Sequence, residues 1–127
     1  MDETLRILIV DDEEDLTATL VERLDIRGFK AVAVQTGEEA LRQVRDTIFD
    51  VVVLDIRLKG EDGVDVMKQI KQLRNDLPVI LLTGHMSKEV SEAGLQAGAI
   101  DYIIKPIDIE DLILKMREAI AAMHKKP

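Results

Sequence analysis

Asp11 and Asp12 stand side by side behind an apolar run, Asp55 follows Val51–Leu54, Thr83 follows Val79–Leu82, and Lys105 follows Tyr102–Ile104. Each of these side chains has a use in phosphate chemistry. Mg2+ is a hard cation that takes a few carboxylate oxygens and completes its shell with water or phosphate oxygens, so Asp11, Asp12 and Asp55 form a candidate metal set. A cation held there would offset the repulsion between these acids and an incoming phosphoryl group. Aspartate is also a phosphorus nucleophile that forms an acyl phosphate, and Asp55 is the candidate for that role. Lys105 would neutralise phosphoryl oxygens, and Thr83 would hydrogen-bond one of them. Taken singly, each residue has a plainer explanation. Acids after a strand compensate a helix dipole, which accounts for Glu13, Glu14 and Asp15. A lone Asp caps a helix, a lone Thr belongs to a turn, and a lone Lys before Pro is solvated. Caps and turns do not explain all of them standing together at the ends of apolar runs.

Those runs are the elements that must position the chemistry. Leu5–Val10 (apart from Arg6), Ala31–Val34, Val51–Leu54, Val79–Leu82 and Tyr102–Ile104 are short and unalternating, which suits strands covered on both faces of a parallel sheet. Between them the period changes to that of helices. Leu16, Leu20 and Leu24 share a face, and Gly28 is placed to stop that helix. Thr36 is a candidate N-cap with Glu39 completing a capping box, and Leu41, Val44 and Ile48 are expected to face inward. Val66, Met67, Ile70 and Leu73 mark a third helix, ended by Asn75–Pro78. Ser87–Gly98 has only the weak stripe Val90, Ala93 and Ala97, so it is expected to be held least tightly. Ile109, Leu112, Ile113, Met116, Ile120 and Met123 make a strong final stripe. The reading is α/β, a (βα)5 chain with a doubly wound five-stranded parallel sheet between two helical layers. Sites in such folds form at the carboxyl ends of the strands, where the acids, Thr83 and Lys105 fall.

The composition narrows the function. The chain's 127 residues fit one domain, 1–127, with its core at about 5–123. Its 17 basic residues against 25 acidic ones give a net charge of -8, which argues against capture of nucleic acid or an anionic membrane. Zero cysteines exclude disulfides, thiolate metal sites and thiol catalysis, and suit a cytoplasmic setting. No apolar run approaches the ~20 residues of a membrane span, and the polar start Met1–Arg6 does not fit a signal peptide. With 2% aromatic residues there is no stacking platform for single-stranded nucleic acid.

Read in order, Ile7–Glu13, Asp50–Ile56, Gly63, Pro78–Gly84, Gly94–Gly98 and Asp101–Pro106 strongly resemble the receiver domain of two-component response regulators, in its single-domain, chemotaxis-regulator-like form. The resemblance implies a flavodoxin-like strand order 2-1-3-4-5. It implies that Asp55 takes a phosphoryl group from a phosphohistidine on a sensor histidine kinase or histidine phosphotransfer protein. It also implies Mg2+ held by Asp11, Asp12, Asp55 and the main-chain carbonyl of Arg57, with Thr83 and Lys105 as phosphate contacts. Thr83 and Tyr102 become the switch residues, and the Lys105–Pro106 peptide is expected to be cis. Phosphorylation would move Thr83, let the Tyr102 ring turn, and alter the surface formed by the fourth helix, fifth strand and fifth helix. That surface would engage a downstream protein effector and allows a phosphorylation-dependent dimer. The domain would be no enzyme beyond its own phosphorylation and dephosphorylation.

Position 59 is Lys where the family commonly has Pro, so the loop Arg57–Asp62 is expected to be more mobile, with Lys59 adding positive potential near the phosphate. Arg57 and His85 are placed to flank the site, Gly84 to leave it open to a donor, and His124 belongs to a solvated basic tail. Two other functions compete. An aspartate-nucleophile phosphohydrolase of the haloacid dehalogenase kind places its acids as Asp-x-Asp after the first strand, whereas Asp11 and Asp12 are adjacent here. A phosphate-independent scaffold would have no use for the full set of site residues. The acidic first loop disfavours a flavin carrier, and no P-loop sequence is present. The short tail after the last helix leaves no room for an effector domain, so the expectation is a stand-alone regulator or a receiver cut from a longer protein.

Overall fold

The structure is a computed structural model that describes residues 4–84 and 88–124. Its strands are β1 (Arg6–Val10), β2 (Lys30–Val34), β3 (Val51–Asp55), β4 (Val79–Thr83) and β5 (Asp101–Ile104). They alternate with helices α1 (Glu14–Ile26), α2 (Gly37–Asp46), α3 (Gly63–Leu73), α4 (Lys88–Gln96) and α5 (Ile109–His124). All the sheet's pairings are parallel, in the order β2-β1-β3-β4-β5. This is the expected doubly wound, flavodoxin-like sheet. Between β3 and α3 the chain also makes a two-stranded antiparallel ribbon, Arg57–Leu58 with Glu61–Asp62, which the sequence reading did not anticipate.

Side chains alternate across a strand, so each strand feeds both faces of the sheet. Leu8, Val10, Val52, Leu54, Val79 and Leu81 pack with Val44, Val66, Met67 and Ile70 from α2 and α3. Ile7, Ile9, Val51, Val53, Ile80 and Leu82 pack on the opposite face with Leu20, Leu24, Leu112, Met116 and Ile120 from α1 and α5. Every residue of β3 and β4 is buried, as central parallel strands require. The edge strands are less covered, and Ile104 of β5 is 44% exposed.

The helix signals hold with local corrections. Gly28, at φ +90°, follows α1 as expected. Thr36 Oγ1 accepts the Glu39 N–H at 3.1 Å, while the Glu39 carboxylate accepts from Gln35 N–H, one residue before the cap. Ile48 does not face inward. Helix α2 ends at Asp46, Thr47 is extended, and Ile48 is carried out to solvent, 75% exposed. Leu73, at the last position of α3, is also substantially exposed. In α4, Ala93 is exposed and Gly94 is buried, because the glycine lets the helix approach the Leu81 side chain of the sheet. Ser87 and the Val90 side chain lie outside what is described.

The start of α3 depends on Gly63. Its N–H donates to Ile56 O at 2.7 Å, and a Cβ placed there would fall 2.7 Å from Ile56 Cα and against the Asp55 carbonyl. Backbone cannot move aside as a flexible side chain does. Gly63→Ala is therefore expected to lower stability by about 3 kcal/mol, a loss checked by urea denaturation followed by circular dichroism.

Candidate functional site

Sheet register explains why residues distant in sequence meet. Val10 pairs with Leu54, Asp55 with Leu82, and Thr83 with Ile104. The residues at or just beyond these positions, Asp11, Asp55, Thr83 and Lys105, therefore lie along one edge of the sheet. A cleft of about 230 Å3 opens there, lined by Asp12, Glu13, Asp55, Ile56, Arg57, Thr83, Gly84 and Lys105, with Asp11 buried behind it. Gly84 is exposed with open space around its α-carbon, so this side of the cleft is accessible. A depression of about 320 Å3 at the opposite edge, near Phe49, Pro78 and His124, gathers no comparable set. There the Asp50 carboxylate is occupied by Arg6 N–H at 2.7 Å.

Oxygens of Asp11, Asp12 and Asp55 all lie within 4.8 Å of one another. Asp11 is fully buried, Asp55 nearly so, and Asp12 half-buried. The Lys105 ammonium sits 2.9 Å from Asp11 Oδ2, 3.1 Å from Asp55 Oδ2 and 2.8 Å from Glu13 Oε1. The peptide bond joining Lys105 to Pro106 is cis. Main-chain N–H groups fix the other sides of the acids. Asp11 Oδ1 accepts from Glu13 N–H and Asp55 Oδ1 from Arg57 N–H, both at 2.9 Å, and Asp12 Oδ2 accepts from Lys59 N–H at 2.8 Å.

These contacts set the electrostatics. Burial pushes the Asp55 carboxyl above the usual carboxylate range. The Arg57 N–H opposes that push, the Asp11 charge adds to it, and Lys105 opposes it. Burial by itself would lower the Lys105 ammonium, but its contacts with Glu13, Asp11 and Asp55 outweigh burial and hold it above its ordinary value. The site thus keeps a permanent cation beside a carboxylate that resists ionisation.

All the expected site side chains except Tyr102 border or adjoin this cleft. Tyr102 is half-buried against the core face shared with α2 and α3, with the Lys115 ammonium 5.9 Å from its ring centre. Its strand partner is Leu81, so Tyr102 and Thr83 point to the same face of the sheet on neighbouring strands. Arg57 flanks the cleft as expected, His124 is exposed, and His85 lies outside the described residues. Glu13 is the residue the sequence reading missed. By sequence it belongs with Glu14 and Asp15 as dipole compensation, yet its side chain makes no cap hydrogen bond and instead pairs with Lys105. Nothing in its local spacing points to a partner 92 residues away.

Residues 7–117 match the family model for the response regulator receiver domain. This chain belongs to that family. As a receiver domain it is the phosphoacceptor module of a two-component response regulator. It is 35% identical to the transcriptional regulatory protein ZraR of Escherichia coli K12, covering 96% of this chain and 28% of that protein. It is 38% identical to the transcriptional regulatory protein PrrA of Mycobacterium tuberculosis, covering 88% of this chain and 48% of that protein. The receiver domain therefore spans less than half the length of these curated relatives. A CheY-like receiver domain protein of Methanospirillum hungatei superposes with a TM-score of 0.91 at 30% identity, over 98% of this chain and 100% of that one. Among the described residues, no helix is long and apolar enough to cross a membrane.

Proposed function

We propose that Asp55 is the phosphoacceptor and that a phosphohistidine on a sensor histidine kinase or phosphotransfer protein is its donor. An Asp55 carboxylate oxygen forms the O–P bond as the donor's N–P bond breaks, and the electron pair returns to the imidazole, which is then protonated. Hydrolysis restores the carboxylate and releases inorganic phosphate, so the domain catalyses only its own phosphorylation and dephosphorylation. Lys105 is positioned to neutralise phosphoryl oxygens, and Thr83 to donate a hydrogen bond to one of them. The Thr83 hydroxyl and the Tyr102 ring form the switch, and the surface of α4, β5 and α5 is the readout.

The donor set fits Mg2+. Three acids converge with oxygens within 4.8 Å of one another, a hard oxygen donor set, and buried Asp11 Oδ2 already faces positive charge there, with the Lys105 ammonium at 2.9 Å. Asp11, Asp12, Asp55 and the Arg57 carbonyl would hold the ion. When bound, it supplies positive charge that offsets repulsion between the acids and an incoming phosphoryl group. The chain acts as a single receiver unit in the cytoplasm, reading kinases and passing the signal to an effector protein or output domain.

The observation that carries this reading is Asp55 lying within reach of two further carboxylates and 3.1 Å from the Lys105 ammonium, in an accessible cleft. Incubation with acetyl phosphate and MgCl2 is expected to add one phosphoryl group to the intact mass, and EDTA to prevent it. An unchanged mass with the metal present would overturn the proposal.

A further inference from the structure

Two of the three amides that pin the acids are local, each bonding a carboxylate two residues earlier in the chain. The third, Lys59 N–H to Asp12 Oδ2, spans 47 residues. It also depends on residue type, since a proline at position 59 would have no N–H to give. This makes the departure from the family's usual proline consequential.

The structure holds that N–H in place. Arg57 pairs with Asp62 and Leu58 with Glu61, and Gly60 turns the ribbon at φ +76°. The Glu61 carboxylate accepts Gly37 N–H at 2.8 Å, tying the ribbon to the first turn of α2. The loop carrying Lys59 thus bonds Asp12 on one side and α2 on the other. Asp12 has the most to gain from this. Asp11 and Asp55 are buried and ion-paired with Lys105, whereas Asp12 is half-buried and lies outside the Lys105 ion pairs.

We propose that Lys59 is a positioning residue for the cation site: its main-chain N–H fixes one oxygen of Asp12 and leaves the other turned to the ion. This rests on the reading of Asp12 as a metal ligand. Hydrogen bonds to a ligating carboxylate orient it, and their loss commonly weakens metal binding by about 10-fold or more.

The test is calorimetric titration of the whole chain with MgCl2, without any phosphodonor. Lys59→Ala and Lys59→Pro both lose the side-chain charge, but only the second loses the N–H. Lys59→Pro is expected to bind Mg2+ about 10-fold more weakly than Lys59→Ala. Equal Kd values would overturn the positioning role while leaving the metal site standing. Failure of the unsubstituted protein to bind Mg2+ would overturn the site reading itself. A measurement free of proline supports or defeats the same claim. In the metal-free protein, Lys59 amide hydrogen exchange is expected to accelerate several-fold on Asp12→Ala, and an unchanged rate would mean that the bond does not hold.

Discussion

Asp55→Asn is expected to abolish phosphoryl uptake while making the metal-free fold more stable near neutral pH. The first effect is chemical, because a carboxamide cannot replace the carboxylate as nucleophile, so no mass gain is expected with acetyl phosphate and Mg2+. The second follows from the raised Asp55 carboxyl, whose causes begin with burial and include repulsion from Asp11. A carboxyl less acidic in the fold than in the unfolded chain favours the fold while protonated. That contribution is complete below the unfolded value and is lost as pH rises through the folded one. Near neutral pH the ionised Asp55 therefore subtracts stability, and Asn removes that cost without titrating. The gain is expected to be on the order of 1 kcal/mol, shrinking as pH falls into the carboxylate range. Mg2+ should narrow or reverse the difference, because a ligand stabilises the form that binds it better. Urea denaturation with and without MgCl2 at several pH values checks this. A gain independent of pH would show that Asp55 ionisation is not its source.

Lys105→Met should have the opposite effect on the fold. The ammonium touches Asp11, Glu13 and Asp55, and its own side chain is only 16% exposed. Removing it leaves buried carboxylates without their counter-charge, a loss expected to reach about 3 kcal/mol in the metal-free protein. Because the Lys105 ammonium is held above its ordinary value, its stabilising charge persists through the neutral range and disappears only in strong alkali. Mg2+ should therefore stabilise the Met variant more than the unsubstituted protein, since the ion supplies the missing positive charge. Phosphorylation by acetyl phosphate is expected to slow about 100-fold through lost stabilisation of the phosphoryl oxygens. Thermal unfolding with and without MgCl2, together with the rate of mass gain, separates the two roles. An unchanged melting temperature would mean that the ion pairs contribute nothing to stability.

Glu13 and Lys59 mark where sequence reading stopped. The five principal side chains were legible because each ends or follows a short apolar run, and parallel sheets place such ends along one edge. Sequence alone places Glu13 with the helix dipole, because its neighbours in the chain are acids entering α1. Its partner emerges only when β5 is set in the sheet and Lys105 is brought to the cleft. For Lys59 the sequence shows a side-chain charge, whereas the structure uses its main-chain N–H. Ile48 and Ala93 depart from expectation for a more local reason. The helical spacing continues in sequence past the residue where α2 ends, and in α4 a glycine, not the more apolar alanine beside it, meets the sheet.

The sequence by itself determined the order of strands and helices, the faces of most helices, and the residues able to handle phosphate. These follow from backbone periodicity and from side-chain chemistry, both of which act locally. The tertiary structure decided which acids share the ammonium, which main-chain N–H groups hold them, and which helix ends run out of cover. Those outcomes depend on register and on close approach between segments as far apart in the chain as Asp11 and Lys105, and hydrogen bonds and ion pairs form only over a few ångströms.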